Sequence, residues 1–478
     1  MKTRFVSTAI PYVNASPHVG FALELVLADV IARHARERGA QTYFLSGTDD
    51  NSLKNALAAE QANLSTAAFV KAHALEFQQL RELLNLSYND FLSTSTDARH
   101  APAVEALWRR CEQRGDIYQG DYEGLYCVGC EQFYAPAELP EGVCPEHGTK
   151  PDVVCERNYF FRLSRYRDEL IRLIDGDEIA ILPVHRKNEV LSFLEAPLLD
   201  LSVSRSVARA RGWGIPVPGD PSQIIYVWFD ALANYISALG YARENEPFQS
   251  YWNQAERIAH VIGKGVTRFH AVYWPAILLS AGVRLPSQIL VHGYITIEGR
   301  KISKSLGNAI SPEEACQRFG VDALRYYLLR HIGSQRDGDF SWSRFDEVYA
   351  HELADDLGNL VSRTTALRRK FGAPVSNSSA LAEGLDTEVA RHIEEFALHR
   401  ALESIWRVIA NTNAYINRTE PWALARQGKD EELEDVLSEL YATLSCIGRA
   451  LLPFLPETAE RLLNALSSSA PIQLFPKA

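Results

Sequence analysis

Methionine is absent from the interior of this chain: of 478 residues only Met1 is methionine. Since methionine ordinarily fills gaps in cores, the absence is notable, but a coding bias toward Ala, Leu and Arg explains it without a functional role. Cysteine is also scarce, seven in all, which excludes a disulfide framework. No apolar run reaches the ~20 residues that span a bilayer, and the start MKTRFVSTAIPYVN lacks the apolar core and cleavage site of a secretory signal. No membrane association and a cytoplasmic location are expected. Basic charge is in deficit, with 49 Lys and Arg against 60 Asp and Glu, a formal net charge of -11. A general polyanion binder is therefore disfavoured, and any nucleic-acid contact must use a local basic surface. Internal repeats and low-complexity tracts are missing too.

What remains is an ordinary globular composition, 46% hydrophobic and 23% charged, long enough for roughly three units. Arg4 to Ile10 is a β-rich run, followed by the loop Pro11–Pro17 and a helical pattern from Gly20 to Arg38. Thr42–Ser46 predicts a second strand, ending in a polar turn before a helix near Leu53. Ile224–Phe229, Ile258–Ile262 and Ile289–Val291 predict further buried strands. Strands alternating with helices predict a parallel α/β sheet with ligands at the carboxyl ends of its strands. Between Gly115 and Asn158 the texture turns to Gly, Tyr, Cys and Pro, as in a small inserted domain. From Ser341 to Leu466 the pattern is almost purely helical, predicting a C-terminal bundle.

The inserted region holds Cys127-x-x-Cys130 and Cys144-x-x-His147. Three thiolates and an imidazole match closed tetrahedral Zn2+, a structural rather than a catalytic site. Cys111, Cys155, Cys316 and Cys446 have no such spacing and are expected as buried small hydrophobes.

The loop Pro17-His18-Val19-Gly20 runs straight into a helix. A glycine there permits close approach of a nucleotide, the helix N-terminus favours anions, and an imidazole can donate to a phosphate oxygen. Far downstream, Gly299-Arg300-Lys301-Ile302-Ser303-Lys304-Ser305-Leu306-Gly307-Asn308 sets two lysines three apart in a polar loop, where they can follow charge building on a departing pyrophosphate. Together the segments resemble the His-Ile-Gly-His and Lys-Met-Ser-Lys-Ser signatures of class I aminoacyl-tRNA synthetases, here HVGF and KISKS.

Within that class the chain resembles the methionine-specific family essentially end to end. The resemblance implies a Rossmann-type parallel sheet in two halves (1-114 and 176-340), a connective insert with a zinc knuckle (115-175) and an α-helical anticodon-binding-like domain (341-478). It implies an amino-acid pocket of Ile10, Tyr12, Asp49, Trp228, Ala231, Tyr235 and His270, aromatic and apolar as suits a thioether, with Asp49 facing the α-amino group. It assigns ATP contacts to Gly20, Glu24, Gly263, His292, Gly293, Lys301, Ser303 and Lys304, with His18, Lys301 and Lys304 as catalytic groups. Asn359, Arg363 and Trp422 fall in the segments that read the anticodon, where Asn and Arg hydrogen-bond base edges and Trp stacks. ATP with Mg2+, Zn2+, methionine and tRNA are the implied cofactors and partners, and a monomer is expected. An editing domain is disfavoured because the insert is too short.

Three departures stand out. Phe21 replaces the second histidine of the first signature and cannot donate to a phosphate. Asp50-Asn51-Ser52 stands where the family has Glu-His-Gly, and Gly265 where it usually has an acidic residue. Two other readings therefore stay open. One is a tRNA-independent paralogue that activates an amino acid and passes it to a small-molecule acceptor, such as a hydroxylamine in hydrazine formation with a cupin partner. The other is an inactive tRNA- or protein-binding relic, which retention of His18 and both lysines disfavours.

Overall fold

The computed structural model describes every residue except 1, 135–137, 147, 244–245, 303–306, 373–377, 469–471 and 477–478. His147, Ser303 and Lys304 thus lie outside the described residues. The chain divides into two compact units, one of Met1–Pro17, Arg38–Arg81 and Ser87–Val291, the other of His18–Glu37, Glu82–Leu86 and His292–Ala478.

The first unit is organised by a six-stranded sheet in the order Asp90–Ser93, Gln41–Thr48, Thr3–Thr8, Arg257–Gly263, Gln288–His292 and Ala180–Leu182. Its strands pair in parallel, for example Val6 with Phe44 on one side and with Ala259 on the other. Parallel strands bury both faces and so read as continuous apolar runs, which is why Arg257–Gly263 was legible: Ile258, Ala259, Val261 and Ile262 are all buried. The chain order reverses at Thr3–Thr8, which lies between Gln41–Thr48 and the late strand Arg257–Gly263. Such a switch point opens a crevice at the strands' carboxyl ends.

The expected insert is an antiparallel sheet in the order Gln132–Tyr134, Ile117–Cys127, Asp152–Phe161 and Leu201–Ser202. The expected strand Ile224–Phe229 is corrected. Its front half ends an antiparallel strand, Asp220–Ile225, and its rear half is the helix Val227–Leu232, with Tyr226 at φ -63, ψ 136 between them. All six helical residues are buried, so the sequence shows no amphipathic period to distinguish a short helix from a strand.

The second unit contains the helix Val19–Glu37 and the C-terminal helices Asn359–Phe371, Leu385–Glu394, Leu398–Thr419, Pro421–Gln427, Asp430–Leu451 and Pro456–Ser468. It also holds a three-stranded sheet of Arg300–Lys301, Ile295–Ile297 and Gly338–Phe340. Ile297 pairs with Arg300 across the two residues Glu298 and Gly299, both at positive φ (49° and 74°). Such a left-handed pair matches the twist of a two-residue hairpin, and it delivers Lys301 to the start of its loop.

Candidate active site

In the first unit, the loop after Thr3–Thr8 and the loop after Gln41–Thr48 meet at an isolated parallel bridge between Tyr12 and Asp49. The Asp49 amide donates to the Pro11 carbonyl at 2.8 Å. Ile10 packs beside Gly47, where an added Cβ would stand 2.1 Å from the Leu92 carbonyl oxygen and 3.2 Å from Ile10 Cγ2. Glycine there lets neighbouring strands approach. Tyr12 Oη, Asp49 Oδ1 and Trp228 Nε1 are buried without hydrogen-bond partners. Buried polar atoms are normally satisfied, so these three mark a place built for a polar ligand. The Asp49 carboxyl titrates well above its ordinary range, first because it is buried and then because Asp230, Glu131 and Asp50 are nearby.

Around them lies the aromatic set. Trp228 stacks on Phe269 at 3.5 Å between ring centroids and meets Tyr12 edge-on at 6.2 Å. Tyr235 Oη is 2.7 Å from His270 Nε2, and His270 Nδ1 is 2.9 Å from the Val266 carbonyl oxygen. A carbonyl only accepts, so Nδ1 carries the proton and Nε2 accepts from the tyrosine. Burial pushes His270 down to about 4, which keeps it neutral. Ala231 shares the helix of Trp228. The structure thus brings Ile10, Tyr12 and Asp49 together on adjoining loops, sets Tyr12 against Trp228, places Ala231 on the same helix as Trp228, and links Tyr235 to His270. Gly263 ends the central strand Arg257–Gly263.

Sequence reasoning missed a hydrogen-bonded chain behind this pocket. Asn51 Nδ2 donates to Asp230 Oδ2 at 2.8 Å, His100 Nε2 lies 2.5 Å from Asp230 Oδ1, and His100 Nδ1 lies 2.9 Å from Ser237 Oγ. Ser52 also acts locally, since its hydroxyl accepts from Asn55 N and caps the helix Leu53–Gln61.

In the second unit, His18 precedes the helix Val19–Glu37, and its Nδ1 accepts from the Gly20 amide at 3.1 Å. Burial pushes this imidazole down to about 4. A neutral ring accepting at Nδ1 carries its proton on Nε2, leaving that N–H as a donor. Phe21 stacks on the same ring at 4.5 Å. Glu24 Oε2 lies 2.9 Å from His292 Nε2, and His292 Nδ1 lies 2.7 Å from the Gly293 carbonyl. Gly293 is packed too tightly for a side chain, since a Cβ would meet the Arg336 backbone at 2.2 Å. Lys301 lies 5.9 Å from the Tyr294 ring centroid, and Asn308 Nδ2 donates to the Lys301 carbonyl at 3.2 Å, closing the base of the KISKS loop.

Farther along that unit, Asn359 and Arg363 share one helix, one turn apart. Arg363 donates to Asn417 Oδ1 at 3.0 Å and its guanidinium lies 5.7 Å from the ring of Trp422, which is 37% exposed. Arg363, Lys370, Phe371, Trp422 and Arg426 line a cavity of about 480 Å³, a locally basic surface with two exposed aromatic rings.

In the insert, the sulfur atoms of Cys127, Cys130 and Cys144 lie within 4.8 Å of one another, with Cys130 and Cys144 at 3.5 Å. Thiolates about 2.3 Å from a tetrahedral zinc stand ~3.8 Å apart, so the donor set fits that ion. Cys111 is buried as expected, and Cys316 and Cys446 are partly buried. Cys155 is exposed, a correction: on the strand Asp152–Phe161 its neighbour Val154 takes the buried face and Cys155 the other.

The sequence profile described as "tRNA synthetases class I (M)" matches residues 4–156 and 134–365. A methionine–tRNA ligase of Fusobacterium nucleatum is 41% identical over 97% of this chain and 74% of its own length. One of Brucella suis is 39% identical over 98% and 93%. The Mycobacterium tuberculosis methionyl-tRNA synthetase, solved in complex with methionyl-adenylate, superposes with a TM-score of 0.92 at 37% identity, covering 100% of both chains. With its parallel sheet, switch-point crevice and two signature segments, the chain is a class I aminoacyl-tRNA synthetase, a ligase. Within that class it belongs to the methionine–tRNA ligase family.

Proposed function

We propose that this enzyme joins methionine to ATP, giving methionyl adenylate and pyrophosphate, and then transfers methionine to the terminal ribose hydroxyl of tRNA with release of AMP. The observation that carries the reading is the pair of buried, partnerless oxygens, Asp49 Oδ1 and Tyr12 Oη, at the mouth of an aromatic pocket. An ammonium beside Asp49 offsets the cost of burying its charge, and the apolar walls receive a thioether. The likeness to ligases named for methionine supports the same choice.

In the first step a methionine carboxylate oxygen attacks the α-phosphorus, the bond to the bridging oxygen breaks, and pyrophosphate leaves. The protein positions the reactants and supplies fixed donors. His18 donates through Nε2 as a neutral ring, Lys301 and Lys304 follow the leaving charge, and Glu24, Gly263, His292, Gly293 and Ser303 hold ATP, which binds as its Mg2+ complex. Cys127, Cys130, Cys144 and His147 hold Zn2+ as a brace for the insert. Asn359, Arg363 and Trp422 read the anticodon, with Arg363 and Trp422 already in contact. The units 1-114 and 176-340 serve catalysis, 115-175 the zinc knuckle, and 341-478 the tRNA.

Transfer to a small-molecule acceptor with a cupin partner rests on the departures alone. Two of these, Asn51 and Ser52, are bonded within the protein, Asn51 to Asp230 and Ser52 to the Asn55 amide, and the likeness to ligases named for tRNA supports tRNA as the acceptor. The test is ATP–pyrophosphate exchange with each of the twenty amino acids, followed by methionine charging of tRNA. Exchange with methionine and charging are expected; exchange driven by another amino acid overturns the substrate, and exchange without charging overturns the acceptor.

A further inference from the structure

We propose that Asn51, Asp230 and His100 form a positioning chain that sets the loop of Asp49 against the helix of the amino-acid pocket. The inference rests on the methionine reading above. Asn51 is two residues beyond Asp49, and Asp230 lies between Phe229 and Ala231 on the helix Val227–Leu232. The bond from Asn51 Nδ2 to Asp230 Oδ2 (2.8 Å) joins segments 179 residues apart. His100 and Ser237 continue it to the start of the helix His100–Gln113 and to the helix Asn234–Ser237.

Both oxygens of Asp230 are engaged and its residue is wholly buried, at 0% exposure. Its carboxylate is thereby held in one orientation, away from exchange with solvent. Asp230 is also the charge that acts most strongly on Asp49 after burial itself. A substrate ammonium arriving at Asp49 therefore meets the field of two carboxylates. One touches it; the other is pinned from behind. In the family pattern a histidine stands at position 51, and a histidine also offers an N–H. Asparagine supplies its N–H from a shorter side chain and reaches Asp230 directly.

The alternative, that Asn51 merely fills space beside Asp230, makes a different prediction. A packing role changes stability and leaves the affinity for the two substrates in the same ratio. A positioning role raises KM for methionine while KM for ATP stays put, because uniform loss of one substrate's binding appears in that KM alone.

The experiment is ATP–pyrophosphate exchange on the full chain, with KM for methionine and for ATP measured for wild type, Asn51→Leu, Asn51→His and Asp230→Asn, alongside thermal midpoints. Asn51→Leu keeps the approximate shape, loses the donor and adds no charge. The expected result is a rise of about ten-fold or more in KM for methionine, the scale of one hydrogen bond to a charged group, with KM for ATP within two-fold. Asn51→His restores most of it. Asp230→Asn raises KM for methionine likewise; should that variant fail to fold, the Asn51 pair decides. Unchanged KM for methionine in Asn51→Leu, or equal rises in both KM values, overturns the chain. Absence of methionine-dependent exchange in the wild type overturns instead the reading on which it rests.

Discussion

Gly20 stands beside the ring of His18 with no room between them: a Cβ on Gly20 would lie 2.8 Å from His18 Cε1 and 2.9 Å from Nδ1. The glycine amide is also the donor that fixes the imidazole. The glycine of this signature therefore seats the histidine as well as leaving the backbone open to a nucleotide.

Gly20→Ala should turn the His18 ring out of register. Gly20 lies in the first turn of Val19–Glu37 at a φ that imposes no strain on alanine, and alanine favours helix by about 1 kcal/mol. Stability should hold or rise while kcat for exchange falls on the order of 10²-fold, as when one donor to developing charge is lost. Exchange kinetics with a urea titration check this; an active variant, or one that fails by unfolding, contradicts it.

The pH profile follows from the same ring. Its pKa is pushed down to about 4 by burial, below the unfolded value near 6.5. The unfolded chain thus takes up this proton first. Stability from the neutral ring is complete above about 6.5 and is lost progressively as pH falls toward 4. For activity, the neutral donor works throughout pH 6 to 8, so exchange should show no His18-dependent inflection near 6.5. A working imidazolium would instead lose ten-fold per unit above its pKa. Rate profiles of wild type and His18→Asn separate the two.

Much of this was legible because the chemistry sits in short, local signals. The strand and loop before His18, the polar loop from Gly299 to Asn308 and each of the pairs Cys127–Cys130 and Cys144–His147 are short runs visible in the chain, whereas the hairpin that leads into Lys301 emerged only in the fold. Tyr226 to Leu232 was not legible as a helix because every residue of it is buried and nothing alternates. Ala180–Leu182 and Asp90–Ser93, three and four residues long, are edge strands too short to show a period. The partnership of Asn51 with Asp230 spans 179 residues, and only the fold brings such residues together.

Metal removal should reach the amino-acid pocket. Glu131 follows Cys130 directly and is buried; its Oε1 accepts from Lys54 N at 3.0 Å, and its backbone carbonyl accepts from Tyr226 Oη. Tyr226 occupies the position just before the helix that carries Trp228. The intact enzyme should hold one equivalent of zinc, and Cys127→Ser should hold much less. Chelation should raise KM for methionine several-fold and leave KM for ATP within two-fold. Zinc content by colorimetric assay and exchange kinetics measure both; zinc loss with an unmoved KM for methionine would show that Glu131 keeps its place without the knuckle.

Stability of the second unit should depend heavily on Arg325, whose side chain is fully buried against Asp29. Its guanidinium donates to Asp29 Oδ2 at 2.8 Å and to the carbonyls of Leu84, Pro453 and Phe454 at 3.1, 3.1 and 2.8 Å. These bonds tie the helix Val19–Glu37 and the segment Glu82–Leu86 to the turn before Pro456–Ser468. Arg325→Met keeps the volume and removes every donor. Asp29 retains Arg33 at 2.7 Å, which softens the loss of its partner, but three carbonyls lose a donor at about 1–3 kcal/mol for each that stays unsatisfied. The lower part of that sum, about 3–5 kcal/mol, coincides with the cost typical of breaking a buried pair. Urea unfolding should show that loss. A change under about 1 kcal/mol would mean that water or a shifted backbone satisfies those groups, and that the pair does not hold the unit together.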